Sequence, residues 1–206
     1  MLRTHHLNSL LEPQSLAIIG ASEKEGSIGH VILRNILANG FKGKLWAVNP
    51  KHGEILGQAC VPTIDQIGSR VDLAIVTTAP RTIPLIIEQC SKAGVHHLIV
   101  VSNLASAGGS SATLERRIRD AARNFGVRML GPKSLGILRP RISLNATFTE
   151  IAALPGDLAL VTQSGAMCAA VLDWATMNKI GVSSAVALGA AMDVDFGEIL
   201  DYLVSD

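Results

Sequence analysis

Ser15-Leu-Ala-Ile-Ile-Gly-Ala-Ser-Glu-Lys-Glu-Gly-Ser-Ile-Gly29 carries an apolar run into a glycine and then into a loop with two more glycines. Leu16 to Ile19 is too short for a helix and lacks the alternation of a half-buried strand, so it predicts a strand covered on both faces. Past the loop, Ile28 to Leu37 sets apolar residues at helical spacing before the stop signal Asn39-Gly40. Strand, glycine loop and helix in that order make an anion cradle. Glycines permit positive φ and close backbone approach, and the free N–H groups of the helix start face the loop. Gly20, Ala21, Ser22, Ser27, Ile28 and Gly29 are the candidate cradle residues, with the two serines as hydroxyl donors. The interval from Gly20 to Gly26 exceeds that of Gly-x-Gly-x-x-Gly, so the loop alone selects a phosphate and not a particular nucleotide.

The second strand, Leu45 to Val48, runs into Asn49-Pro50-Lys51. A NAD-binding chain usually places an acidic residue there for the ribose hydroxyls; a lysine instead offers a cation to a further phosphate. Asp72 to Val76 predicts the third strand, ending in Thr77-Thr78-Ala79-Pro80, and a helix follows through Ile83 to Ala93. His97 to Val101 is the fourth, ending in Ser102-Asn103. A small-residue loop at Ala107 to Ser111 then leads to a charged helix from Thr113 to Asn124. Arg128 to Leu130 is the fifth strand, followed by Gly131-Pro132-Lys133-Ser134. Short buried strands alternating with helices predict right-handed βαβ crossovers and an α/β, Rossmann-like, doubly wound parallel sheet. In such sheets ligands bind at the carboxyl ends of the strands, where strand order reverses. All five of these strand ends would converge on one cleft.

After Arg139-Pro140-Arg141 the rhythm breaks. The expected division is a first domain at residues 1–142, an irregular link at 143–156 and a second unit at 157–206. That unit reads as a strand from Leu158 to Thr162, a turn Gln163-Ser164-Gly165-Ala166, a helix from Met167 to Met177, a strand from Val182 to Leu188 and a helix from Phe196 to Leu203. Two strands and two helices are too few to enclose a core, so the second unit is expected to be cut short. Ser164 suits a helix N-cap, and the same turn could hold an anion.

Composition narrows the partners. Aromatic residues are 3% of the 206 and the formal charge is +1, so neither base-stacking platforms nor a basic footprint points to nucleic acid. Charged residues are 17% and hydrophobic ones 48%, as a sheet covered on both faces requires. No apolar run approaches the ~18 residues of a membrane span, and no apolar signal core precedes Leu16. Cys60, Cys90 and Cys168 show no metal-ligand or disulfide spacing; a reducing cytoplasm fits. Cys168 reads as small buried filler, and none of the six histidines has a nucleophile or ligand partner at a recognisable spacing.

Leu16 to Ser22 with Gly26-Ser-Ile-Gly29, then Val48-Asn-Pro-Lys51, Leu130-Gly-Pro-Lys-Ser-Leu-Gly136 and Thr162-Gln-Ser-Gly-Ala166, together and in order, closely resemble the CoA-binding region of ADP-forming acyl-CoA synthetases. The succinyl-CoA synthetase α subunit is a more distant likeness. Ser143 to Phe148, Asp173-Trp174 and Asp193 to Leu203 are similar to a variant family, the synthetase-like bacterial protein lysine acetyltransferases. The resemblance implies CoA or acyl-CoA, acetyl-CoA foremost, at the switch point of the first sheet, with the start of a flavodoxin-like α/β domain after it. It sets the Gly20–Gly29 loop and Lys51 near the phosphates, with Asn49, Pro50, Thr78, Ala79, Pro80, Ser102, Lys133 and Ser134 lining the rest. It implies a phosphate role for Ser164 and Gly165 next to a phosphohistidine whose histidine lies beyond Asp206, and the remaining domains of a larger parent as partners, with self-assembly open. A chain of this kind is expected to bind rather than catalyse. Two departures stand out: Lys133 replaces the family's usual Asn and brings a cation, and Ser102-Asn103-Leu104 lacks the usual turn. The competing classes are the NAD-binding domain of an oxidoreductase and a non-catalytic CoA-sensing module.

Overall fold

The computed structural model describes residues 5–107 and 111–204. The small-residue loop expected at Ala107 to Ser111 falls largely outside them. The chain begins with a single helical turn, α1 (Asn8–Leu11), followed by β1 (Ser15–Ile19), α2 (Ile28–Ala38) and β2 (Lys44–Val48). A short hairpin, β3 (Glu54–Ile55) with β4 (Gln58–Val61), comes next, then β5 (Leu73–Val76), α3 (Ile83–Lys92), β6 (His97–Val100), α4 (Ser111–Asn124) and β7 (Arg128–Leu130). These build a sheet in the order β3-β4-β2-β1-β5-β6-β7. Its strands from β4 to β7 pair in parallel, with Leu16 opposite both Leu45 and Leu73. Strand order reverses at β1, so the expected doubly wound sheet and its switch point are both present.

The apolar runs face both ways because the sheet is covered on both sides. Leu16, Ile18, Leu73, Ile75, Ile99 and Leu130 join one buried cluster with Ile32, Leu33 and Ile36 of α2. The intervening Ala17, Ile19, Ala74, Val76, Leu98, Val100 and Met129 join another with Ile83 and Ile87 of α3 and Ile118 of α4. A one-residue slip of any strand would exchange the two sets, which is what pins the register.

The hairpin β3–β4 carries no turn motif strong enough to announce it and was not expected. A larger difference concerns the link. Residues 136–147 form a second hairpin, β8 (Gly136–Arg139) and β9 (Leu144–Thr147), with every residue of the two strands buried. They complete a four-stranded sheet, β10-β11-β8-β9, with β10 (Pro155–Thr162) and β11 (Val182–Ala187). β8 pairs antiparallel with β11, Leu138 lying opposite Ala185. The stretch expected as irregular from residue 143 thus contains a strand, and a boundary after 142 runs through a paired hairpin. Pro140 concealed it: the 3-10 turn Pro140–Ile142 reads from sequence as a break.

The last helices close the structure. α5 (Gly165–Met177) covers the second sheet through Cys168 and Leu172, whereas α6 (Phe196–Val204) sends Ile199 and Tyr202 into the cluster shared with β1 and α2. α6 is also held by charge. The Arg128 guanidinium meets Asp193 at 3.0 Å and both oxygens of Glu198 at 2.8 Å; His6 Nε2 reaches Glu198 at 3.1 Å and His5 Nε2 reaches Asp201 at 3.0 Å. Burial opposes ionisation of Glu198, but the hydrogen bonds from Arg128 and His6 prevail and hold its carboxyl below its ordinary value. A lowered carboxyl pKa stabilises the fold above the unfolded value of about 4.3 and loses that contribution as pH falls through the folded value. Glu198→Gln is therefore expected to cost about 1 to 2 kcal/mol at pH 7 in urea unfolding, with the gap to wild type closing as pH drops below about 4.

Candidate functional site

The tightest contact at the site is between bare backbones. Gly20, at φ +95°, ends β1, and a Cβ placed on Gly29 in the first turn of α2 would lie 2.1 Å from the Gly20 carbonyl oxygen. Only glycine allows the helix start to sit this close to the strand end. Ser27 caps α2 by accepting a hydrogen bond from His30 N at 3.4 Å, and the His30 ring reaches Ser22 O at 3.2 Å. Thr77, not singled out from sequence, donates its hydroxyl to Ile19 O at 3.1 Å and Gly20 O at 3.0 Å, joining the ends of β1 and β5.

Asn49 ties the second strand end to this loop. Its Nδ2 donates to Ala21 O at 2.7 Å and its Oδ1 accepts from Lys51 N at 2.9 Å. The Lys51 side chain is exposed, and among the described residues its ammonium has no ion-pair partner. Gly20, Asn49, Pro50, Lys51, Thr78 and Ala79 line one cavity of about 580 Å³ at the reversal of strand order. Sequence reasoning missed Thr63, Thr82, Ile86 and Gln89 on its wall. Thr82, Ile86 and Gln89 fall at the four- and three-residue spacing of one helical face, a signal present in the sequence but without chemistry to mark it.

The remaining candidates separate. Pro80 is buried at the start of a 3-10 turn. Ser102 is buried and gives its hydroxyl to Thr78 O at 2.5 Å. Ser134, expected to line the nucleotide cleft, is wholly buried instead; its hydroxyl goes to Ala187 O and accepts from Gly136 N, tying the first sheet's last loop to the second sheet. Lys133 is not on the first cavity. It lines a second one of about 760 Å³, with Gln163, Ser164 and Gly165 at the start of α5. Ser164 is the α5 N-cap, accepting from Met167 N at 3.3 Å. Ser102 links a wall residue of each cavity: its hydroxyl is given to Thr78 O and its carbonyl accepts from Lys133 N at 3.1 Å. Cys168, nearby on α5, is buried, which pushes its thiol up to about 11 and leaves it protonated at neutral pH.

Residues 14–140 match the CoA binding domain family, and residues 155–206 match the succinyl-CoA ligase like flavodoxin domain. The chain belongs to the CoA-binding domain family. It is 38% identical over 97% of its length to acetate–CoA ligase [ADP-forming] I of Archaeoglobus fulgidus, covering 29% of that protein. It is 35% identical to the α subunit of acetate–CoA ligase [ADP-forming] I of Pyrococcus furiosus, with 97% of this chain and 44% of the relative covered. A solved structure of the Ca. Korarchaeum cryptofilum dinucleotide forming acetyl-coenzyme A synthetase 1, in complex with phosphate and ADP, superposes at a TM-score of 0.91. It shares 34% identity over 97% of this chain and 43% of that one. The chain thus spans less than half of each of these relatives. Both the CoA-binding family and the flavodoxin-like companion agree with the resemblance drawn from the motifs.

If the Gly20–Gly29 contact sets the helix start, Gly29→Ala should lower unfolding stability by about 1 to 3 kcal/mol in chemical denaturation. Gly53→Ala, where an added Cβ meets nothing within 4 Å, should stay close to wild type.

Proposed function

We propose that the cavity at the end of β1, β2 and β5 holds the nucleotide end of CoA. The observation that carries this is the Lys51 ammonium, without an ion-pair partner among the described residues, on the same cavity as Gly20, which the capped start of α2 approaches. The backbone of Gly20 to Gly29 would receive the pyrophosphate, and Lys51 the 3′-phosphate that distinguishes CoA from NAD. Pro50, Ile64 and Ile86 supply an apolar wall suited to the heterocycle. The pantetheine arm would run past Thr78 and over Ser102 towards the second cavity, where the α5 N-terminus is placed to meet an oxyanion.

The parent activity we infer is that of an ADP-forming acyl-CoA ligase, in which acyl-CoA, ADP and phosphate give the acid, CoA and ATP. The relatives named above support this over an acetyltransferase parent, and their greater length supports further domains or subunits as partners. Within this chain the division we propose follows the two family matches, a CoA-binding unit ending near residue 140 and a ligase-like flavodoxin unit from 155. The hairpin β8–β9 between them serves the second sheet. No helix among the described residues is long and apolar enough to cross a membrane. Three buried free cysteines support a reducing cytoplasm.

Calorimetric titration with CoA, 3′-dephospho-CoA and NAD tests the assignment. CoA should bind up to roughly 5-fold more tightly than its dephospho form, the worth of one exposed ion pair, and Lys51→Ala should erase that difference. Equal affinities for the two in wild type would remove Lys51 from the site. NAD binding without CoA binding would replace the CoA assignment with the oxidoreductase one.

A further inference from the structure

The second cavity has a chemistry of its own. Leu135, Phe148, Ala166 and Ala169 give it apolar walls, and Lys133 is the one charged side chain among its lining residues. Lys133 sits at φ +60°, a region unfavourable for a residue with a side chain, so its backbone is held from outside. The holding bonds are Lys133 N to Ser102 O at 3.1 Å and, on the preceding residue, Ala190 N to Pro132 O at 2.8 Å. Glu150, next in sequence to the lining residue Thr149, pairs with Arg34 at 2.7 Å, and Asp193 pairs with Arg128 at 3.0 Å. Among the described residues the Lys133 ammonium has no ion-pair partner. An apolar hollow of about 760 Å³ with one cation at its edge matches an anion with an apolar body.

We propose that Lys133 is a specificity-determining residue that holds the carboxylate of a monocarboxylic acid larger than acetate, its apolar body lying against Leu135 and Phe148. This rests on the CoA assignment above, which brings the thiol over Ser102 to the Lys133 backbone. The carboxylate then lies at the mouth where the thiol arrives, with the tail directed away. Acetate has a single methyl to bury and would leave most of the cavity wet. An aryl or branched tail adds apolar contact worth roughly 10-fold or more in affinity at about 25 cal/mol per Å².

The test is an amide-shift titration of the 206-residue chain, read at Gly165, Ala166, Gly189 and Ala190, with phenylacetate, acetate, neutral phenylacetamide and inorganic phosphate as probes. Phenylacetate should bind at least 10-fold more tightly than acetate. Lys133→Asn, which tolerates the same backbone region, should weaken phenylacetate about 5-fold towards the level of phenylacetamide, and Lys133→Arg should restore it. Equal affinities for phenylacetate and acetate overturn the size claim. Unchanged phenylacetate binding in Lys133→Asn overturns the role of the lysine, and a lysine-dependent response to phosphate alone makes this a phosphate site. A parallel CoA titration of the wild-type chain keeps the two proposals apart, since absent CoA binding defeats the assignment it rests on whatever the acids do.

Discussion

The approach of Gly29 to the Gly20 carbonyl is the constraint on which the site depends. With no side chain between them, the first turn of α2 lies against the end of β1, where Gly20, alone of the cradle candidates, lines the cavity. Every other contact at this end of the sheet refines that placement. Thr77 fastens the β1 and β5 ends to each other, and Asn49 draws the β2 end onto the loop, which brings Lys51 to the cavity. A larger residue at Gly29 would displace the helix, and the donors with it, before any ligand contact was altered.

A second set of close contacts joins the two sheets. Residues 189–194 run beside 129–132, with Val194 N, Met192 N and Ala190 N donating to Met129, Gly131 and Pro132 carbonyls. At Gly189 an added Cβ would meet Pro132 O at 2.3 Å, another place where backbone lies directly on backbone. Ser134, buried between the sheets, continues the seam by hydrogen bonding to Ala187. The loop from Gly131 to Ser134 is therefore fixed to the second sheet, and Lys133 is its residue on the wall of the second cavity. This is why Lys133 faces the start of α5 rather than the nucleotide cleft.

Much of this was legible in the sequence because buried parallel strands and glycine turns leave local marks. Leu16 to Ile19, Asp72 to Val76 and His97 to Val101 read as strands from composition alone, and the cradle residues follow from the order strand, glycine loop, helix. What was hidden is what depends on distant partners. β8 and β9 become strands by pairing with each other, and β8 with β11, with Pro140 in their turn masking the hairpin. Ser134 looked like a cleft residue because its hydroxyl gave no hint of Ala187, 53 positions away. Thr82, Ile86 and Gln89 carry no motif and matter only through the face of α3 that the packing turns to the cleft.

The most direct measurement is a structure of the chain with CoA bound. The account predicts pyrophosphate oxygens within hydrogen-bond distance of backbone N–H groups between Gly20 and Gly29, the 3′-phosphate at Lys51 Nζ, and the thiol arm passing Ser102 towards Lys133. CoA bound with its phosphates away from the Gly20–Gly29 turn would contradict it, however tight the binding.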